Sequence, residues 1–323
     1  MGDPAMKPTL VDAGAQRPGL LVVLPHFRNE QESARALQSL REAEYPGLHV
    51  LVIDNGGALA SRPEWVRGPE QREDFVQPEE NLGWCAAMNL GLRRAQELGL
   101  RYLLQLNADC EIESGALEAL VDALEADAGV AGAMPLLHDG TRIWSAGSDL
   151  RFGPNQVKHR CHGLPLSEAP ERPMLVDFVP GACALLRCSA IESIGGFDER
   201  YFMYLEDAEL GLRLQRSGFR LVALPWARAR HSGSSASGGG ASPLRKFLMA
   251  ANTPRFLRTA RSPRLWLSFV CFDVLAWPLV AGVSLLRGRG LASPLAKARG
   301  IVWGLRGHRP GPADVQHYLG SRS

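Results

Sequence analysis

Between residues 20 and 124, near-continuous apolar runs alternate with amphipathic stretches, and no other feature limits the possible folds so tightly. Residues 20–27 (LLVVLPHF) form the first run. Residues 30–43 follow with apolar positions at Ala34, Leu37 and Leu40, the spacing of a helix. Residues 50–53 make a second run ending on Asp54-Asn55-Gly56-Gly57, and a short third lies near 75–77. Asn81-Leu82-Gly83 then opens a helix over about 84–98, with Met88, Leu92 and Ala95 on one face. Residues 102–106 are the fourth strand, and Ser114 stands ahead of a helix carrying Leu117, Leu120, Val121 and Leu124. Unbroken apolar strands joined by amphipathic helices predict an α/β fold with a mostly parallel sheet covered on both faces.

Ligands of such sheets bind beyond the carboxyl ends of the strands. Asp54, Asn81 and Asp109 all fall at or just after those ends. The segment QLNADC (105–110) closes the fourth strand with Asn107 and Asp109 two residues apart, a spacing that turns both side chains the same way. A carboxylate there can hold a divalent cation, and the cation a diphosphate. An Asx turn leaving the strand is the other reading of the same residues. Neither GxGxxG nor GxxxxGK[ST] follows the first strand, which argues against a dinucleotide fold and a P-loop NTPase.

Beyond the fourth strand and its helix the pattern loosens. Residues 135–179 are irregular, 181–187 restore a buried strand, and 191–197 read as a short helix closed by Gly195-Gly196. In DERYFMYLEDAELGLRL (198–214), Leu210 and Leu214 share a helical face with Glu206 and Asp207 in the turn before it. Acids in a first turn are favoured by the helix field. These two are also crowded by apolar residues, which raises a carboxylate's pKa toward that of a general base. Residues 219–224 read as the last strand. His231 then opens a Gly/Ser stretch through Gly240, suited to a lid.

The formal net charge of +2 conceals a polarity. Residues 1–209 carry −14 and residues 210–323 carry +16, with Asp273 the only acid between Leu210 and Pro312. So basic a C-terminal part is expected to meet something anionic. It lacks the spaced aromatic platforms or reading helix of a nucleic-acid binder, so no nucleic acid is expected. Residues 265–286 are long and apolar enough to span a bilayer, but Asp273 and Pro278 interrupt them and arginines flank both sides. Helices lying in an anionic interface fit better, with a hairpin packed on protein or on a second subunit as the alternative. The six cysteines form no CxxC pair, so reduced thiols at a cytosolic face are expected rather than zinc or disulfides.

Taken in order, LPHFRNE, VIDNGG, NLGWCAAMN, LNAD, GACALLR, GGFDERYFMYLEDAELGLRL and His231 resemble glycosyltransferase family 2, the inverting enzymes with the GT-A fold. The likeness runs from about Leu20 to Gly311 and is nearest to bacterial rhamnosyltransferases acting on surface polysaccharide or lipid-linked glycans. It implies a flexible leader (1–18), a catalytic domain (19–240) with a nucleotide-sugar half (19–130) and an acceptor half (131–240), and a basic helical extension (241–323). By resemblance, Pro25, Phe27, Asn29, Glu30, Asp54, Asn81, Gly83, Asn89, Asn107, Ala108 and Asp109 would meet the nucleotide-sugar. Asp109 and His231 would hold Mg²⁺ or Mn²⁺, Asp207 would be the base, and Glu206 would position the acceptor or orient Asp207. The loop after Asp54 departs from the pattern at Ala58 and Leu59, and Asn107 replaces the first acid of a DxD motif. The implied reaction moves a sugar, rhamnose from dTDP-rhamnose, to a saccharide or lipid-linked acceptor at the cytoplasmic face of the inner membrane. A homodimer through the C-terminal helices is a further implied partner. A non-catalytic sugar-nucleotide-binding or assembly protein and a nucleotidyltransferase are the competing readings.

Overall fold

All seven residues of the first strand, β1 (Leu20–His26), are buried, so this strand needs neighbours on both edges and layers on both faces. The computed structural model describes residues 17–320 except 58, 60, 155 and 234–241 and supplies those neighbours. The chain continues through α1 (Glu30–Glu42), β2 (Leu48–Asp54), β3 (Glu73–Val76), α2 (Gly83–Glu97), β4 (Tyr102–Leu106), β5 (Cys110–Ile112) and α3 (Ala116–Ala126). Next come β6 (Val130–His138), β7 (Ile143–Ser145), β8 (Ser148–Leu150), β9 (Val157–His159), β10 (Met174–Leu175), β11 (Cys183–Arg187) and α4 (Cys188–Ser193). The last part holds α5 (Glu206–Arg216), β12 (Arg220–His231), α6 (Pro243–Ala260), α7 (Pro263–Phe269), α8 (Trp277–Leu286), α9 (Ala292–Leu305) and α10 (Pro312–Gly320).

The main sheet runs β10-β12-β6-β11-β4-β1-β2-β3. Its β4-β1-β2-β3 half is wholly parallel, as the alternation predicts. In the other half β11 runs antiparallel to both β4 and β6, while β12 is parallel to β6. The leader, apart from its last residues, and the Gly/Ser stretch from residue 234 on lie outside the described residues, as does Ala58.

Two expectations change. The stretch from residue 135 is not irregular at its start, because β6 runs to His138 with every residue buried. Nor does the last strand stop at Leu224. Pro225 has no N–H for the ladder, and pairing shifts between Leu224 and Arg228 before resuming to His231. His231 therefore ends a strand, only 3% exposed, rather than opening a loop.

The C-terminal helices pack on this unit. Helix α9 crosses α6 so closely that a Cβ added at Gly300 would lie 2.4 Å from the Phe247 carbonyl oxygen. One added at Gly304 would lie 2.3 Å from that of Ala251. A π-helical turn over Val270–Leu275 joins α7 to α8. Among the described residues no single helix is long and apolar enough to cross a membrane; α7 through α8 passes only as a pair bent by 41°. Asp273, the lone acid of this region, is buried against Lys297 at 2.7 Å. Ser268 donates to the Gly153 carbonyl at 2.9 Å, tying α7 to the acceptor half. All six cysteines are unpaired, four of them buried.

Candidate active site

Parallel pairing brings the exits of β1, β2 and β4 to one end of the sheet, with His26 in register with Asp54. A cleft opens there, lined by Pro25, Phe27, Asn81, Asn107, Ala108, Asp109, Glu206, Asp207 and His231 among the residues expected from sequence. The remaining expected residues support its walls. The Asp54 carboxylate, 1% exposed, accepts from the N–H groups of Gly56 and Leu59 and from the Gln77 amide, each at 3.1 Å. Asn29 caps α1 by accepting from the Glu32 N–H, and Glu30 is exposed while Glu32 faces the cleft. Asn89 holds the chain at Phe197 through both ends of its amide, at 2.9 Å each. Gly83 has φ +71°, and a Cβ there would sit 2.6 Å from the Phe202 carbonyl oxygen, so only glycine lets α2 start against that loop.

Asp109 sits in the turn between β4 and β5, and β5 pairs with β12 so that Cys110 lies opposite His231. His231 Nε2 stands 3.3 Å from Asp109 Oδ1, and neither imidazole nitrogen has a hydrogen-bond partner among the described residues although both are buried. Ligand atoms of Asp109, Cys110 and His231 lie within 4.8 Å of one another. Burial pushes the Cys110 thiol well above its ordinary pKa, so it stays protonated and ligates poorly. A carboxylate beside an orphaned, buried imidazole is a donor set that fits a divalent cation.

The same cleft is lined by Glu206 and Asp207 of α5. Tyr204 and Leu205 precede it with φ of +73° and +68°, two consecutive non-glycine residues in the left-handed region. Asn252 on α6 holds that turn by donating to the carbonyls of Met203 and Tyr204, both at 2.9 Å. Asp207 accepts from the Ala208 N–H at 2.8 Å and from the Gly181 N–H at 3.4 Å. Burial raises the pKa of Asp207 above the carboxylate range in spite of those bonds. The Glu206 pKa is raised as well, by burial first and by the adjacent Asp207 second, and its Oε2 has no partner among the described residues. The two pairs are linked through the segment leading into β11: the Asn107 N–H donates to the Ala182 carbonyl at 2.8 Å, one residue from the Gly181 that holds Asp207.

Trp144, His159, Tyr204 and Arg245 are among the cleft residues that escape the sequence reading. The Trp144 ring touches both His159 and His231, with centroids 4.4 and 4.5 Å away. Burial, with the charges of His162, Arg245 and His231, lowers the His159 pKa to about 4, so it is neutral at neutral pH. Trp144 and His159 lie in the stretch without periodicity and carried no local signal. Arg245 stood out only as one charge in a basic tail. A cleft lined by both a candidate cation site and raised carboxylates can stabilise a departing diphosphate and deprotonate a hydroxyl.

The model of the family described as Glycosyl transferase family 2 matches residues 21–195, and that of Glycosyl transferase family group 2 matches residues 118–303. The N-acetylglucosaminyl-diphospho-decaprenol L-rhamnosyltransferase of Mycobacterium tuberculosis (strain ATCC 25618 / H37Rv) is 31% identical over 231 residues, 63% of this chain and 73% of that one. The O-antigen biosynthesis protein RfbC of Myxococcus xanthus is 30% identical over 70% of this chain but only 18% of its own length. Among solved structures, the mannosyltransferase PcManGT from Pyrobaculum calidifontis in complex with GDP-Man and Mn²⁺ superposes with a TM-score of 0.57. That alignment covers 90% of this chain and 87% of the other at 16% identity.

Proposed function

The chain belongs to glycosyltransferase family 2 and has the GT-A fold, and on that premise we propose that it transfers rhamnose from dTDP-rhamnose to a hydroxyl of a lipid-linked saccharide, with inversion. One observation carries this reading: a single cleft is lined by both the Asp109–His231 pair and the Glu206–Asp207 pair. The choice of sugar and acceptor is supported by the relative from M. tuberculosis, whose name states both for that protein.

Asp207 takes the acceptor proton in its ionised form, with its carboxylate aimed by the Gly181 and Ala208 N–H groups. Glu206, buried beside it with one oxygen unpartnered among the described residues, positions the acceptor hydroxyl. Asp109 and His231 are the residues that would hold Mn²⁺ or Mg²⁺, which when bound offsets the charge gathering on the departing diphosphate. Asn81, Asn107 and the Ala108 backbone line the donor side.

The test is release of nucleoside diphosphate from dTDP-rhamnose with a lipid-linked N-acetylglucosamine acceptor and Mn²⁺. Asp207→Asn is expected to lose on the order of 10²- to 10⁴-fold in turnover while still binding donor. Asp109→Ala should lose the part of donor affinity that depends on metal, measured by titration calorimetry with Mn²⁺ and with chelator. Full turnover in Asp207→Asn, or metal-dependent donor binding intact in Asp109→Ala, rules out the assigned roles.

The site of action proposed is the cytoplasmic face of an anionic membrane, with α7 and α8 lying in the headgroup layer. Leu275, Leu279 and Leu286 on this bent pair are 69%, 71% and 89% exposed, and Arg264, Arg287 and Arg289 flank it. Apolar side chains framed by arginines match a lipid surface better than water.

A further inference from the structure

A second recess, of about 480 Å³, shares no residue with the catalytic cleft. It is walled by six arginines (Arg200, Arg216, Arg255, Arg258, Arg261 and Arg309) together with Thr259 and Gly307. They come from four places in the chain: the loop before α5, the end of α5, the second half of α6 with its exit, and the link from α9 to α10. Helix α6 joins the two sites, with Leu244, Arg245, Leu248 and Met249 at the cleft and Arg255, Arg258 and Thr259 at the recess.

Capping of helix ends explains only part of this cluster. Arg216 donates to the carbonyls of Thr259 and Ala260, and Arg258 to those of Gly304 and Leu305, which satisfies the ends of α6 and α9. Arg200 is paired with Asp198, and Arg255 donates to Asn252 and to the His308 carbonyl. The side chains of Arg261 and Arg309 make no hydrogen bond or ion pair with any described residue. Among the described residues Asp198 is the one carboxylate ion-paired with any of these six; Glu209, which acts on Arg200 from further away, is itself paired with Arg213. Burial, and the nearby charges of Arg200 and Arg309, push Arg255 below its ordinary pKa against the pull of Tyr201 and Asp198. Like charges gathered around a recess with so little compensation leave a strong positive potential, and guanidinium forks match phosphate oxygens two at a time. Such a recess is also in the size range of small-molecule sites.

We propose that this arginine recess is a binding site for a phosphate-bearing ligand, distinct from the catalytic cleft. The same chemistry is offered by a phospholipid headgroup and by a soluble phosphate or pyrophosphate. The recess site depends on none of the catalytic assignments.

The experiment uses the full chain in chelator, so that the Asp109–His231 site contributes nothing. One arm titrates inorganic pyrophosphate calorimetrically. The other floats the protein with vesicles of phosphatidylglycerol and phosphatidylcholine, against phosphatidylcholine alone. The variant is Arg261→Gln/Arg309→Gln, chosen because neither side chain has a partner to lose, with thermal unfolding to check the fold. Arg261→Lys/Arg309→Lys keeps the charge and serves if the first variant is unstable; it is expected to weaken binding severalfold by losing the fork. The glutamine pair should lower affinity about 25-fold, from roughly fivefold per arginine near a phosphate surface. Pyrophosphate binding lost in the variant assigns a soluble ligand. Flotation on anionic vesicles lost in the variant, with no pyrophosphate binding by the parent, assigns a headgroup. A parent that binds neither probe, or variants that bind as tightly as the parent, overturn the proposal. Donor affinity with Mn²⁺ should be the same in all three proteins, which separates this outcome from any failure of the catalytic reading.

Discussion

Glu206 shows how a single side chain trades stability for chemistry. Its carboxyl is buried, carries an unpartnered oxygen and adjoins another acid, so its pKa in the fold lies well above that of the unfolded chain. The sign of the linkage follows. Below the unfolded value both states are protonated and nothing is lost; above the folded value the fold bears the whole cost of ionising the group. Glu206→Gln is therefore expected to unfold at a higher temperature than the parent at pH 8, by about 2 °C or more. The difference should vanish toward pH 4. Scanning calorimetry at both pH values checks it, and an unchanged or lower Tm at pH 8 contradicts a strained carboxyl. Asp207 has the same sign of shift, so turnover should fall on the acid side at a higher pH than an ordinary carboxylate would give. Motifs made Asp109, Glu206 and Asp207 readable in advance as residues of one cleft. What the motifs did not reveal is whether a polar group's lone pairs are already taken. Asp54 and Asn89 look alike on paper, yet Asp54 orders the loop after β2 and Asn89 anchors the chain at Phe197.

At the scale of elements, the parallel half was the most legible, because strands buried on both faces advertise themselves as unbroken apolar runs. The fourth strand matches its expected bounds residue for residue. The acceptor half was less so. Strands β7, β8 and β9 are three residues each, too short for periodicity to register, and Pro225 disguised the length of β12. That disguise matters, because the resumed part of β12 is what carries His231 to Asp109. The α6–α9 contact has a sharper dependence. Its backbones approach too closely for any side chain at Gly300, so Gly300→Val must push the helices apart or strain them. A cost of about 1–3 kcal/mol is expected, read as a lower midpoint in urea. Since α6 also holds the turn before Glu206 through Asn252, turnover should fall with it. A variant as stable and active as the parent shows that α9 is not a fixed part of the fold.

Over the whole molecule, charge is segregated: the half bearing the nucleotide-side strands is acidic and the half bearing the C-terminal helices basic. The sequence displayed that imbalance, but not that the basic half also closes the cleft with Leu244, Arg245, Leu248, Met249 and Val315. Removing everything after residue 241 would open the active site, so membrane binding is better tested by side chains. Leu275→Ser/Leu279→Ser/Leu286→Ser is expected to abolish flotation on anionic vesicles while leaving Tm within a degree or two, because these side chains already face outward. Persistent flotation of the triple variant removes the membrane role of α8, and a shift from dimer to monomer would assign the face to a second copy. Trp144 adds a different consequence. Its indole rests edge-on against His231, the imidazole expected to receive the cation, so the protein carries a built-in optical gauge of metal arrival. Paramagnetic Mn²⁺ should quench tryptophan emission along a saturable curve, and Trp144→Phe should flatten it without disturbing the ion's affinity.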